Sequence, residues 1–156
     1  MKKIHQLILF AMAVLLFAAS LPTSAFATAA EPPQMQKLDD GSYVVITIEY
    51  DQAQDGISYL TSKSITSGTK KYTYYDSANK LLWEFRVHGT FTYNGVTATA
   101  TGASYSYDVY DSAWSFVKGN ATYSGATATA TGTFKWLLFS YDTPVSLTCS
   151  PDGVLS

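Results

Sequence analysis

Two stretches of the chain, thirty residues apart, have nearly the same sequence. Residues 89–104 read GTFTYNGVTATATGAS and residues 119–134 read GNATYSGATATATGTF, so that ten of sixteen positions are identical. After a glycine-containing loop, alanine and threonine alternate strictly in both copies, and a period of two is typical of a β-strand with one apolar and one polar face. The repeat predicts two β-hairpins. A unit present only twice favours duplication inside one domain over a solenoid.

Turn residues mark the centre of each copy. Asn-Gly at residues 94–95 and Ser-Gly at residues 124–125 predict two-residue loops, because these residue types tolerate the positive φ that tight hairpins require. In the first copy such a loop places Tyr93 opposite Val96, on an apolar face that also carries Ala98. The threonines then share the opposite, polar face.

The alanines of these hairpins are too small to fill a core by themselves. Large rings must cover them if the interior is to reach the packing density of proteins, and we expect Trp83, Phe85, Trp136 and Phe139 to do so. The second copy is expected to continue as a strand as far as Leu138. Two apolar layers of this kind predict a single antiparallel β-sandwich of about eight to ten strands, immunoglobulin-like or related, with a bent barrel as the alternative.

The chain from residue 42 onward is also rich in β-branched and aromatic residues separated by turn residues. Strands are predicted at 43–50, more weakly at 57–66, and in a hairpin formed by 71–75 and 81–87. The last of these strands turns large apolar residues towards the core. Its other face is predicted to be in water and carries Glu84, Arg86 and His88.

The first thirty residues have the three parts of a secretory signal peptide. Two lysines at positions 2–3 are followed by an apolar run at 7–21 and by small residues with Ala-x-Ala spacing that end at Ala27. We expect cleavage after Ala27, with Ala29 or Ala30 as alternatives. The run is shorter than the roughly 20 residues of a spanning helix, although an uncleaved anchor is the other interpretation.

These features divide the chain into a signal peptide (1–27), a flexible leader (28–41) and a β-sandwich domain (42–156). The processed chain would carry eight basic and twelve acidic side chains, a net charge of −4, with no basic stripe. This charge argues against nucleic-acid binding, and no membrane span is predicted after processing.

Cys149 is the only cysteine. The fold must therefore be stabilised by a hydrophobic core and not by internal disulfides. Cys149 alternates with Val145 and Leu147, which predicts a buried thiol; an intermolecular disulfide is the alternative. Few charges mark the alternating strands, so self-association through sheet edges is a further expectation.

Three segments resemble a known group of proteins. YTYYDSANKLLWEF, VHGTFTYNGVTATATGAS and VSLTCSPDGVLS, between Tyr72 and the C-terminus, are similar to uncharacterised small secreted β-rich proteins of Gram-positive bacteria. The resemblance implies export and an all-β fold. It implies no catalytic residue.

The processed sequence offers little catalytic chemistry. His88 would be the only histidine, so a Ser-His-Asp triad would have to use it, and a His/Cys metal site would lack ligands. No glycine-rich phosphate loop is present, and we expect no cofactor and no metal. Carboxylates could still form a glycosidase pair or a calcium site, and the candidates are Glu49, Asp51 and Asp55 near one strand end, and Asp108 and Asp111 beside a turn.

Aromatic residues make up 15% of the chain, more than one core of this size needs. Tyr105, Tyr107, Tyr110 and Trp114 surround the acidic segment 108–111, and we take them as the candidate ligand-binding residues, a platform for sugar rings. Burial of these rings within strands is the alternative. The threonine rows at 97–101 and 127–131 are expected to be exposed sheet faces, with the ordering of water or polymer docking as the alternative.

The sequence thus predicts a secreted, non-enzymatic protein that acts by surface contact at the cell envelope or in the medium. Carbohydrate or a cell-wall polymer is the most specific ligand we expect, and loose association with the wall follows from it. A secreted carboxylate-based hydrolase and an antibacterial or host-directed effector are the alternatives.

Overall fold

The computed structural model describes residues 32–51 and 63–156. The predicted signal peptide, Asp55 and most of the weak strand at 57–66 lie outside the described residues. The eight strands are β1 (Gln34–Lys37), β2 (Tyr43–Tyr50), β3 (Ser64–Tyr75), β4 (Leu81–Tyr93), β5 (Ala98–Val109), β6 (Trp114–Ser124), β7 (Thr127–Trp136) and β8 (Phe139–Thr148).

The strands form two antiparallel sheets that pack face to face. The large sheet has the order β1-β2-β3-β4-β5 and the small sheet the order β6-β7-β8. The small sheet lies over β3, β4 and β5, whereas β1 and β2 contact none of its strands. The predicted all-β sandwich is confirmed, and the two sheets do not close into a barrel. The immunoglobulin-like order is wrong, because each sheet is a meander of consecutive strands and a Greek key needs a strand that returns past its neighbours.

The sheet begins earlier than predicted. Strand β1 lies inside the segment 28–41 that was expected to be a flexible leader, and it pairs with β2 from Gln34 opposite Ile46 to Lys37 opposite Tyr43. All four of its residues are exposed. β1 is an edge strand that is held to the sheet by backbone pairing and buries none of its side chains. Its sequence therefore has no alternation of apolar and polar residues that could have predicted a strand.

The two copies of the repeat are hairpins, as predicted, and they lie in different sheets. The first joins β4 to β5 and the second joins β6 to β7. Equivalent tyrosines pair with equivalent alanines, Tyr93 with Ala98 and Tyr123 with Ala128. One copy of the duplicated unit therefore belongs to each layer of the sandwich.

The predicted loops of the two hairpins were wrong, because in each hairpin the strands pair two residues further along than expected. Val96 does not face Tyr93; it lies in the turn between β4 and β5 and is 79% exposed. The second loop is Gly125-Ala126, because Ser124 already pairs with Thr127. Moving the pairing by two residues preserves alternation, so the predicted apolar face survives without Val96.

Rings of the large sheet pack on the inner face of the small sheet, whose alanines Ala128 and Ala130 belong to the same core. Trp83 stacks on Phe134 of the small sheet with ring centroids 4.1 Å apart, and Phe85 meets the same ring edge-on. Both rings are buried, as predicted. Trp136 and Phe139 do not take part as expected: they are 42% and 69% exposed, because β7 ends at Trp136 and the chain turns back there into β8.

Cys149 lies in this core. It is a free, buried thiol, and its residue forms an isolated bridge with Leu155 as the C-terminal segment folds back. Leu155 is held from the other side, since its backbone N–H donates to the Tyr50 hydroxyl at 2.8 Å. The expectation of a buried thiol is confirmed.

Candidate functional site

The four aromatic residues singled out from the sequence do not share one surface. Tyr105 and Tyr107 lie on the inner face of β5, where Tyr107 stacks on Phe116 of β6 at 3.7 Å. Tyr105 is half-buried against the same ring, at 6.1 Å. These two tyrosines line the side of the sandwich at which β5 and β6 meet.

Tyr110 lies on the other side of the large sheet. It is exposed, and its hydroxyl donates to Oε2 of Glu84 at 3.3 Å. Glu84 also accepts hydrogen bonds from Thr73 and from Arg86. Glu84 was expected to be in water, but it is buried. A charged group can be buried only when hydrogen bonds satisfy it, and these three partners do so for its carboxylate.

His88, on the same face, is hydrogen-bonded across three strands. Its Nδ1 lies 2.8 Å from the Thr69 hydroxyl and its Nε2 lies 2.8 Å from the Ser106 hydroxyl. The ring is half-buried between β3 and β5. Its two nitrogens contact hydroxyl groups in place of the carboxylate of a triad.

Three of the candidate carboxylates are each paired with a different cation. Asp108 lies 2.6 Å from Arg86, Asp111 is in an ion pair with Lys80, and Glu49 lies 3.5 Å from Lys71. The hydrogen bond from the Lys80 amino group holds the pKa of Asp111 below its usual value. Asp111 also accepts the Ala113 backbone N–H and so fixes the turn between β5 and β6.

Trp114 has a different setting from the three tyrosines. It opens β6 and pairs with Trp136, which in turn pairs with Phe139. Their rings follow one another across the three strands of the small sheet, with centroids 6.4 Å and 6.2 Å apart and planes inclined by 21° and 24°. We call Trp114, Trp136 and Phe139 the ring row.

The ring row begins in the core and ends in solvent. Trp114 is half-buried and packs against Trp83 and Tyr74 of the large sheet. Tyr74 is itself buried, which raises the pKa of its hydroxyl, and it contacts Tyr141 beside the row. Trp136 and Phe139 have the parity of core residues yet are exposed, so the hairpin β7–β8 extends past the end of the large sheet.

Sequence reasoning found Trp114 but missed its two neighbours in the row. Trp136 was assigned to the core because the strand was expected to continue through Leu138, and Phe139 was assigned there because the alanines needed large rings to cover them. The signal that could have identified them is the run of four apolar residues at 136–139, directly after the alternating segment 127–135. Such a run breaks the period of two and contains no turn residue.

The threonine rows are largely sheet surface. Thr99, Thr101 and Thr131 are exposed. In the second row, Thr129 bonds Ser146 across the strands at 3.1 Å. Of the strands that carry the rows, β7 is paired on both sides and only β5 has a sheet edge. Part of that edge is occupied, because the Ala100 N–H donates to the Gly125 carbonyl at 2.7 Å.

Within residues 32–51 and 63–156, no group of three or more His, Cys, Asp and Glu residues is placed to hold a metal ion. The same residues include no helix that is long and apolar enough to cross a membrane. Comparison of the chain with protein-family models, with curated proteins and with solved structures found no match.

Proposed function

We propose that this protein is exported and acts outside the cell by surface contact, without catalysis, and that the ring row binds the sugar rings of an extended glycan or wall polymer. The observation that carries the proposal is the exposure of Trp136 and Phe139, in near-parallel succession with Trp114, at the end of the small sheet. Export is supported by the signal-peptide pattern of residues 1–27.

The chemistry of the row suits carbohydrate. The face of an aromatic ring is the negative side of its quadrupole, and the C–H groups on the flat side of a sugar ring are weakly positive. Phe139 ends the row on the edge strand β8 and is 69% exposed, so this outermost ring offers such a face to a sugar unit of a polymer. Trp114 is fixed by the core, which limits the conformational entropy lost when a ligand binds.

The shape of the described surface also favours an extended ligand. One groove of the described surface, at Ile46 and Tyr72 and away from the row, has a volume of about 170 Å³. Enclosed small-molecule sites usually have about 300–1,000 Å³. An extended polymer can bind along an open surface such as the ring row, whereas a small substrate binds poorly to a surface that does not enclose it.

Retention on insoluble cell walls tests the proposal. The secreted protein should bind purified peptidoglycan or wall teichoic acid, and Trp136→Ala should weaken retention at least about tenfold, as expected for an aromatic anchor. Tyr123→Ala is the matched control, since Tyr123 is an exposed ring elsewhere in the small sheet. Trp114→Ala is less informative because this ring also supports the core.

Melting temperatures of all variants should be compared with that of the wild type. Equal retention of the wild type and of Trp136→Ala and Phe139→Ala would contradict binding by the ring row. Turnover of a glycan that disappears in Asp108→Asn would favour the hydrolase and overturn the non-enzymatic assignment.

A further inference from the structure

The hairpin β7–β8 ends in an exposed aliphatic tip. Its loop consists of Leu137 and Leu138, which are 67% and 91% exposed, between Trp136 and Phe139 at the facing strand ends. Isolated apolar residues on a surface are ordinary, whereas a contiguous exposed patch marks an interaction site. We call Leu137 and Leu138 the tip; the ring row lies behind it.

The backbone of the tip indicates that leucine is placed there at a cost to stability. Leu137 has φ 54°, in the left-handed region that favours glycine and asparagine. Every other positive-φ residue in the described part of the chain is glycine or asparagine: Gly41, Asn79, Gly95, Gly125 and Gly153. A hairpin turn alone would use those residue types at Leu137 as well, so the aliphatic side chain is required for something other than folding.

We propose that the tip inserts into the acyl region of a lipid bilayer and holds the protein reversibly at a membrane surface. The tip is convex, because a two-residue turn has no walls, so its partner must supply an apolar medium that surrounds it. A fluid acyl layer does this without a preformed pocket. Pairing of Trp136 with Phe139 closes the hairpin directly behind the tip, which leaves little unpaired backbone to bring into lipid.

The residues behind the tip fit the interface between lipid and water. Trp136 and Tyr141 are partly exposed there, and tryptophan and tyrosine are enriched at the level of lipid headgroups. Along the chain, the charges nearest the tip are Lys135 and Asp142, both exposed and opposite in sign. Apolar burial would therefore drive binding, and neither anionic lipid nor low salt should be required.

This inference rests on export, as the proposed function does, but not on glycan binding. Stacking on sugars uses the ring row, whereas insertion needs the leucines. A glycan bound at the row would lie near the headgroups of the membrane that holds the tip. The two proposals therefore concern different side chains and can fail separately.

Vesicle flotation tests the proposal directly. Protein collected from the culture medium, with its N-terminus established by intact mass, is mixed with vesicles of phosphatidylcholine or of phosphatidylglycerol and cardiolipin. It should float with both, in low and in high salt. Leu138→Asp should lower the partition coefficient at least about tenfold, because burial of one leucine side chain has an effect of that order.

Val96→Asp is the matched control. Val96 is a highly exposed apolar residue in the turn between β4 and β5 (79%, against 91% for Leu138), and its replacement should leave flotation unchanged. Brominated acyl chains should quench tryptophan fluorescence in the wild type and much less in Trp136→Phe, since Trp83 is buried in the core and Trp114 is half-buried against it. Retention on walls should persist in Leu138→Asp.

Four results would overturn insertion. In the first, the wild type is not recovered with either kind of vesicle, and in the second, Leu138→Asp floats as well as the wild type. Sedimentation could instead reveal dimers that Leu138→Asp dissociates in the absence of lipid, and the tip would then bind a second copy. If Leu138→Asp lost wall retention and the wild type did not bind lipid, the tip would be part of the binding site for the wall polymer.

Discussion

The ring of Phe85, on β4, occupies the space in which a side chain on Gly132, on β7, would stand. A Cβ atom added to Gly132 would lie 2.6 Å from Cε2 of this ring. Phe85 is fully buried, so its ring has no free space into which it could move. The absence of a side chain at Gly132 is therefore a condition for the two sheets to approach at this point.

Gly132→Ala should lower the free energy of unfolding by about 1–3 kcal/mol, the usual cost of forcing an extra methyl group into a packed core. Urea denaturation of the wild type and the variant measures the difference.

The repeat supplies the control. Gly102 holds the position in the first copy that Gly132 holds in the second, and a Cβ there would have ordinary contact with Thr90 at 3.8 Å. Gly102→Ala should leave stability within about 0.5 kcal/mol of the wild type or raise it slightly. Equal losses in the two variants would contradict the contact of Phe85 with Gly132.

Leu137→Gly should raise the free energy of unfolding by up to about 1 kcal/mol, because it relieves the left-handed backbone at the tip and removes an exposed apolar side chain. Thermal and urea denaturation both measure this change. A stability equal to or below that of the wild type would argue that Leu137 is not strained.

Gly125→Leu is the reciprocal change. Gly125 has φ 55°, close to that of Leu137, and a Cβ there would meet no atom within 4 Å. Any loss of stability would come from the backbone conformation alone, and we expect about 1–2 kcal/mol.

The thiol of Cys149 should not react while the protein is folded. Burial shields it and raises its pKa, which lowers the fraction of the reactive thiolate. At neutral pH an aromatic disulfide reagent should label the native protein far more slowly than the protein in denaturant. A disulfide-linked dimer on a non-reducing gel of freshly purified protein would contradict this prediction.

Acid should destabilise the protein partly through the ion pair of Asp111 with Lys80. Because the pKa of Asp111 is lower in the folded state than in the unfolded state, its contribution is fully present above the unfolded-state pKa and is lost as the pH falls through the folded-state pKa. Urea midpoints measured between about pH 5 and about pH 2 should therefore fall less steeply in Asp111→Asn than in the wild type.

Lys80→Gln should flatten the same profile, because the amino group of Lys80 is the main cause of the lowered pKa. The double variant should show little further change, since both substitutions remove one interaction. Additive effects of the two substitutions would mean that Asp111 is stabilised by something else.

Much of the local structure could be predicted because β-hairpins are built from neighbours in sequence. The alternation of residues 89–104 and 119–134 predicted both hairpins, and the alternation of Trp83 and Phe85 predicted their common inward face. Errors came where alternation carries no information. Strand β1 has no apolar period, and the first loop could shift by two residues without changing which residues share a face.

The candidate site was only partly predictable. Trp114 was recognised from its place in an aromatic-rich segment, but Tyr110, four residues away, lies on the other side of the large sheet beside Glu84. Trp136 shares the parity of Phe134, so alternation assigned it to the core, and Phe139 was assigned there as one of the large rings needed over the alanines. Their exposure depends on how far β7 and β8 extend past the large sheet, and no local pattern in the sequence measures that length.

The sequence by itself determined most of the strands, the faces of many of them, and a core that must combine bulky rings with small alanines, because side chains alternate along any extended backbone. Only the tertiary structure decided which of two equivalent glycines must stay bare, and which aromatic rings and leucines stand beyond the core. These properties depend on how the two sheets are placed against each other. That placement is set by contacts between residues far apart in the sequence, such as Phe85 and Gly132, and no local pattern reveals such contacts.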